Sequence, residues 1–177
     1  PHTRFDGIYQ SGLMKMLLNG LGNHEGAKLY HLASATLDFD RIVQTACPII
    51  LNKVSILGGL ATVENCSGET AIVAAVASDD FDRRQRELLV ASRDLMARLP
   101  LDQIDVLIVD EIGKSISGTG MDTNVIGRKH NDRAAVAGET PAIRTIAVRR
   151  VVGQNAYGIG LPELYNTVNR EFLDSNA

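Results

Sequence analysis

Lys15 is the first residue whose setting points to chemistry, because it lies inside the apolar run 13–18 (LMKMLL). Burying an ammonium group is costly unless the group is paired, neutral or covalently used. An amine whose pKa is lowered by apolar surroundings is nucleophilic enough to bond a carbonyl-type group. The alternative is a helix lysine whose ammonium extends out of an apolar surface into water. The residue types alone leave both interpretations open.

Histidines near this run are candidates for acid, base or metal-ligand roles. His24 and His31 are seven residues apart, on one side of a helix but separated by two turns. This spacing is too long for both to chelate one metal from a single helix. One of them either binds a metal with ligands from elsewhere or is structural. His2 has Arg4 close by in the sequence. The two side chains could bind an anionic substrate, or His2 could simply be solvated.

A second polar group follows the apolar run 104–109, which is typical of a parallel strand buried on both faces. The glycine-rich segment 110–128 comes at the carboxyl end of this strand, where ligands of open α/β sheets usually bind. The basic cluster 128–130 could pair with a carboxylate. Three acidic residues of the segment could bind a hard cation or cap helices: Asp110, Glu111 and Asp122.

Apolar periodicity, caps and turn residues predict the elements that position these groups. Asn23 and Asp38 are read as helix caps, and Pro48 and Pro100 as residues before which helices end. Strands are predicted at 54–64, 70–77, 104–109 and 143–152. Helices are predicted at 11–22, 24–35, 39–45, 80–98 and 162–173. The predicted fold class is α/β.

Composition excludes several classes of function. A net charge of −3 and a pI near 5.8 argue against binding to nucleic acid or to an anionic membrane. Two cysteines make neither a disulfide framework nor a zinc cluster. The sequence has no signal peptide and no apolar run of about 18 residues, so a cytoplasmic location is expected.

The long charged helix at 80–100 separates two β-containing halves, so a domain boundary is placed there. The chain begins at Pro1 without an initiator Met, and its most chemical segment starts at once. We therefore expect an internal fragment of a longer protein, with the missing upstream part supplying further site residues.

One pattern joins the motifs of the first half: Pro1-His2, Ser11-Gly12-Leu13-Met14-Lys15, Asn19-Gly20-Leu21-Gly22 and His31. The second half adds 105–113 (DVLIVDEIG) and 121–124 (MDTN). Together they resemble the nickel-dependent lactate racemase family, and the similarity is spread over essentially the whole chain. It implies that residues 1–79 are the C-terminal part of a large cofactor-binding domain, 80–100 a linker helix and 101–177 part of a second α/β domain.

The resemblance implies a nickel-pincer nucleotide as cofactor, a pyridinium mononucleotide whose carbon and two thioacid sulfurs hold Ni(II). Lys15 matches the lysine that joins the cofactor through a thioamide. His31 matches the histidine that supplies the fourth nickel ligand, and such a donor set suits square-planar Ni(II). His2 matches one of two catalytic histidines, and the other would lie upstream of Pro1.

The implied activity is that of an isomerase, which racemises or epimerises a small 2-hydroxy acid by proton-coupled hydride transfer. One histidine takes the hydroxyl proton while the hydride on Cα passes to the cofactor. Lactate racemases carry a Tyr-Gln pair and then a lysine after the Asp-x-Asn element, whereas residues 125–129 read VIGRK here. Arg128 or Lys129 is therefore assigned to the substrate carboxylate, and a hydroxy acid other than lactate is expected.

Two alternatives stay open. The first keeps the cofactor but carries out a different reaction on a hydroxy acid, such as elimination. The second is a homologue without turnover that binds a nucleotide or a partner. In every case the fragment alone is expected to be inactive, because it lacks the upstream half of the site.

Overall fold

The computed structural model describes residues 7–34, 36–113, 115–117, 120–129 and 137–152, together with the backbone of residues 167–168. The chain divides into two compact units, unit 1 up to Ala97 and unit 2 from Arg98 onwards. Unit 1 combines helices with a two-stranded antiparallel sheet, and unit 2 contains a parallel sheet. The predicted α/β class is confirmed. None of the described helices is long and apolar enough to cross a membrane.

The helices of unit 1 follow the predicted order along the chain. They are α1 (Leu13–Lys15), continued by a π-helical turn (Met16–Gly20), α2 (His24–Ser34), α3 (Phe39–Lys53) and α4 (Phe81–Leu95). Both predicted caps are confirmed. Asn23 Oδ1 accepts a hydrogen bond from the Gly26 amide at 3.0 Å, and Asp38 accepts one from the Asp40 amide at 3.1 Å.

Helix α3 is longer than expected, because it continues through Pro48 to Lys53. The prediction that it ends near residue 45 was wrong. Pro48 has no N–H to donate to the Gln44 carbonyl, which removes one bond of the ladder. The helix continues because its apolar face is buried in the core of unit 1, and packing outweighs the local penalty. The buried residues of that face are Phe39, Ile42, Val43 and Cys47.

The hairpin of unit 1 consists of β1 (Gly58–Glu64) and β2 (Thr70–Ala77), which pair antiparallel. The second strand has the predicted bounds, whereas the first begins four residues later than predicted. Asn65 shapes the turn, since its Oδ1 accepts hydrogen bonds from the amides of Ser67 and Glu69.

Helix α4 belongs to the packing of unit 1. Its buried residues are Phe81, Gln85, Leu88 and Leu89. It ends at Leu95, three residues before the predicted end, where Met96 takes an extended conformation. Leu99, which lies in the predicted linker segment 80–100, packs against the core of unit 2. The segment predicted as a linker therefore contains a helix that packs in unit 1 and, after it, an apolar residue that packs in unit 2.

Unit 2 contains β3 (Gln103–Ile112), β4 (Ala142–Val151) and β5 (Thr167–Val168), in the order β3-β4-β5. Both pairs of neighbouring strands are parallel, as predicted for β3 from its apolar run. The prediction that β3 is buried on both faces was wrong, because one face of the strand is exposed in unit 2. Val106 is 56% exposed and Ile108 74% exposed, because only the opposite face of the strand packs on the core.

The C-terminal helix predicted at 162–173 is contradicted at two residues. Thr167–Val168 forms β5, which pairs with β4. Two adjacent β-branched residues favour a strand where a sheet edge offers free backbone groups. The rest of the predicted helix lies outside the described residues.

Candidate functional site

Lys15 lies at the junction of α1 and the π-helical turn, among residues that fix this segment in the core. Met14, Leu17 and Leu18 are buried on either side of it. The Met14 amide donates a hydrogen bond of 2.6 Å to Gln85 Oε1 of α4. Lys15 itself is half-buried, and desolvation lowers the pKa of its ammonium group. A lysine with a raised share of neutral amine is therefore held at a fixed point of the fold.

The π-helical turn that follows Lys15 was not predicted from the sequence. The Leu21 amide donates to the Met16 carbonyl at 2.9 Å, a bond that spans five residues. Such π-turns occur frequently at functional sites. Asn19 lies in this turn, and its buried Oδ1 has no hydrogen-bond partner among the described residues. The sequence offered only an Asn-Gly pair at the end of an apolar run as a signal.

His31 lies on α2, a helix none of whose residues is buried, and its side chain is exposed. Helix α2 packs against the π-helical turn, so the helices that carry Lys15 and His31 are neighbours in unit 1. His24 is exposed as well. The described part of the chain holds no group of three or more His, Cys, Asp or Glu residues placed to bind a metal. A metal ion at His31 would therefore need donors from a bound molecule or from residues not described.

Three further predicted residues lie outside the described part of the chain. They are His2, the proposed acid/base catalyst, Arg4, which was considered with it, and His130 of the basic cluster.

In unit 2, a loop after β3 brings Lys129 to the Asp-x-Asn element. Lys129 Nζ donates a hydrogen bond of 2.9 Å to Asn124 Oδ1. Asn124 in turn donates to Asp122 Oδ1 from its backbone amide at 2.9 Å and from Nδ2 at 3.1 Å. The Lys129 amide donates to Glu139 Oε1 at 2.7 Å. The half-buried ammonium of Lys129 is thus held on a chain of polar side chains.

Arg128 has a different environment from its neighbour, since it is 0% exposed. Its guanidinium donates to the Ile143 carbonyl at 2.6 Å and to the Gly127 carbonyl at 3.4 Å. Burial lowers the pKa of this guanidinium, and the charge of Glu139 opposes that effect. These contacts tie the loop to β4, and they occupy donors that were predicted to bind a substrate carboxylate.

The three acidic residues considered for a hard cation are used separately. Asp110 pairs with Arg149 at 3.1 Å, and Glu111 pairs with Arg150, its register partner across the sheet. Asp122 organises the following turn, where its carbonyl accepts from the amides of Val125 and Ile126. The pairs on β3 and β4 are exposed, so they contribute little to stability.

A polar network in unit 1 was not predicted from the sequence. Tyr9 donates its hydroxyl to Asp82, and Arg86 donates to both partners, at 3.0 Å to Tyr9 Oη and at 2.8 Å to Asp82 Oδ2. The Arg86 guanidinium also lies over the Tyr9 ring at 5.4 Å. Burial and the Asp82 carboxylate raise the pKa of Tyr9 to about 12, so its phenol stays protonated. The network lines a groove of about 520 Å³ beside α3.

Cys47 is not arranged as a nucleophile. Cys47 is buried, and its Sγ donates to the Met14 carbonyl at 3.5 Å. Burial and the charge of Asp82 raise the pKa of its thiol to about 12, which leaves little thiolate at neutral pH. Cys66 is exposed and unpaired by a disulfide.

No family model matches the chain, and no curated protein or solved structure is found to be similar to it. The assignment to the lactate racemase family therefore stays a prediction based on the sequence motifs.

Proposed function

We propose that the chain is part of a lactate racemase-like 2-hydroxyacid racemase or epimerase, in which Lys15 carries a nickel-pincer nucleotide. The observation that supports this most is the setting of Lys15. The amine is half-buried, its pKa is lowered by desolvation, and buried neighbours and the bond to Gln85 fix its helix. A thioamide bond requires a neutral amine as nucleophile, and this environment favours the neutral form.

The exposed imidazole of His31 is compatible with the ligand role that the resemblance assigns to it. A nickel ion that already has a carbon and two sulfur donors needs a single ligand from the protein. His31 can supply that ligand without a second histidine or carboxylate nearby, because it is open to an incoming molecule on α2. When bound, the nucleotide would supply hydride acceptance and return at the substrate Cα.

Lys129 is the better of the two proposed residues for holding the substrate carboxylate. Lys129 is half-buried rather than buried, and its ammonium lies beside the Asp-x-Asn element through the bond to Asn124. The Arg128 guanidinium is fully buried on backbone carbonyls, so we assign it the task of holding the loop that carries Lys129. His2 is assigned the proton of the substrate hydroxyl, for which an imidazole has a suitable pKa.

The attachment is tested by mass spectrometry of the chain co-expressed with enzymes that make the cofactor. We expect a mass increase located on the peptide that contains Lys15, and nickel bound in proportion to it. Lys15→Arg should abolish both, whereas Lys28→Arg, a matched change on exposed helix α2, should leave both unchanged. His31→Ala should keep the mass increase and lose nickel.

The activity is tested in the full gene product with a panel of D- and L-2-hydroxy acids. Loss of optical rotation without new products is the result expected of a racemase, whereas new products would indicate the alternative reaction. A chain with unmodified Lys15 and no nickel under loading conditions would contradict the proposal. Unchanged cellular function in both Lys15→Arg and His31→Ala would favour a homologue without turnover.

A further inference from the structure

A small cavity in unit 1 lies between the segment before α1 and helix α4. Its polar lining includes Ser11, Gly12, Gln85 and Ser92, and the remaining wall is mainly apolar side chains of β1 and α4. The volume is about 60 Å³. None of the described residues that line it carries a charge. The cavity therefore has the character of a pocket for a neutral group with both polar and apolar parts.

Gln85 gives this cavity an unsatisfied donor. The side chain is only 4% exposed, and its Oε1 accepts the 2.6 Å hydrogen bond from the Met14 amide. Because a backbone N–H can only donate, this bond fixes which end of the carboxamide is the oxygen. Nε2 is then the other end, and it is buried without an acceptor among the described residues. A buried donor of this kind calls for an acceptor from a bound molecule.

We propose that this cavity binds a small neutral carbonyl group, the size of a carboxamide or acetyl group, whose oxygen accepts a hydrogen bond from Gln85 Nε2. A cavity of roughly 150 Å³ holds the six carbons of benzene, so in proportion this one encloses about two or three non-hydrogen atoms, enough for the carbonyl end of an amide. An anion is disfavoured because the uncharged lining offers it no counter-charge. The hydroxyls of Ser11 and Ser92 can accept the N–H groups of an amide. The proposal is independent of the chemistry assigned to Lys15.

The test is an NMR titration of the ¹⁵N-labelled chain with acetamide, and with acetate as the anionic counterpart. We expect saturable shifts of the Gln85 side-chain NH₂ and of the Gly12 amide with acetamide, on the order of millimolar affinity. Acetate at the same concentrations should leave these signals in place. Absence of saturation with acetamide, or equal shifts with acetate, would overturn the proposal.

Three variants distinguish acetamide binding in the cavity from non-specific binding elsewhere on the chain. Ser92→Leu fills the cavity and should weaken acetamide binding at least about tenfold. Val90→Leu adds bulk at an exposed position of the same helix and should not change it. Gln85→Glu, studied above the pKa of the new carboxyl, keeps an acceptor for Met14 but removes the NH₂ group, so it should also abolish binding. Acetamide binding that is retained in Ser92→Leu or in Gln85→Glu would refute the site. A crystal structure determined in the presence of acetamide that shows only ordered water at Gln85 Nε2 would refute it as well.

Discussion

Replacing Gly12 with alanine tests whether the turn before α1 determines the packing around Lys15. Gly12 has φ 94° and ψ −157°, a conformation that is essentially restricted to glycine and costs other residues about 1–3 kcal/mol. An alanine Cβ would also lie 3.3 Å from Gln85 Oε1, which is held in place by its bond to Met14. Weakening that buried bond adds about 1 kcal/mol, so we expect Gly12→Ala to destabilise unit 1 by about 2–4 kcal/mol.

The matched control is Gly68→Ala in the hairpin turn of the same unit. Gly68 has φ 77°, but a Cβ there would meet nothing within 4 Å, so only backbone strain of about 1–2 kcal/mol is expected. Urea unfolding followed by circular dichroism measures both variants, with linear extrapolation to water. If Gly12→Ala is no more destabilising than Gly68→Ala, Gln85 moves freely and the argument for a fixed α1 is refuted.

Three further variants test the titrating and buried groups. The lowered pKa of Lys15 means that the unfolded chain binds more protons between that pKa and the ordinary value of 10.5, so this lysine makes stability rise with pH in that window. Lys15→Met should flatten the rise in urea midpoints, and a curve parallel to that of the unmodified chain would contradict the assignment. The pKa of Tyr9, raised from 10.0 to about 12, makes the folded chain retain a proton that the unfolded chain loses, so stability should fall as pH rises through this range. Tyr9→Phe should remove that fall and, at neutral pH, should cost about 1.5–3 kcal/mol for the lost bond to Asp82. Phenol absorbance of the unmodified chain titrated against pH checks the raised pKa of Tyr9. Urea unfolding of the variant checks both stability effects. Arg128→Met should cost unit 2 about 1–3 kcal/mol by leaving the Ile143 carbonyl without its donor. The opposite result would be unchanged urea unfolding together with weaker binding of a 2-hydroxy acid to the cofactor-loaded protein. That result would show that Arg128 binds the substrate instead.

The elements that were predicted correctly are those decided by neighbouring residues. Asn23 and Asp38 cap their helices through bonds to amides two or three positions away, and Asn65 closes its turn in the same way. Pro48 shows the limit of such reasoning. Its local effect favours the end of a helix, but the buried face that includes Cys47 keeps α3 intact across it.

The site was predictable only where it depends on a short stretch of sequence. Lys15 was singled out because of its apolar neighbours, and those neighbours are buried, whereas its role in a site stays a prediction. Gln85 lies in the charged stretch 82–87 and reads as a surface residue. Its burial depends on Met14, which is 71 positions away in sequence. Tyr9 and Asp82 are 73 positions apart, so no spacing rule could have joined them.

Arg128 and Lys129 show how a backbone turn can give two adjacent cations different surroundings. Gly127 has φ 59°, and a Cβ there would collide with the Pro141 carbonyl, so the chain packs closely against the start of β4. This approach buries Arg128 on the Ile143 carbonyl, while Lys129 points its ammonium to Asn124. The Arg128 guanidinium is fully buried and donates to backbone carbonyls, whereas Lys129 is only half-buried and more open to an incoming anion. We therefore assign the substrate carboxylate to Lys129 in the proposed function, and we expect Arg128 to hold the loop that carries it.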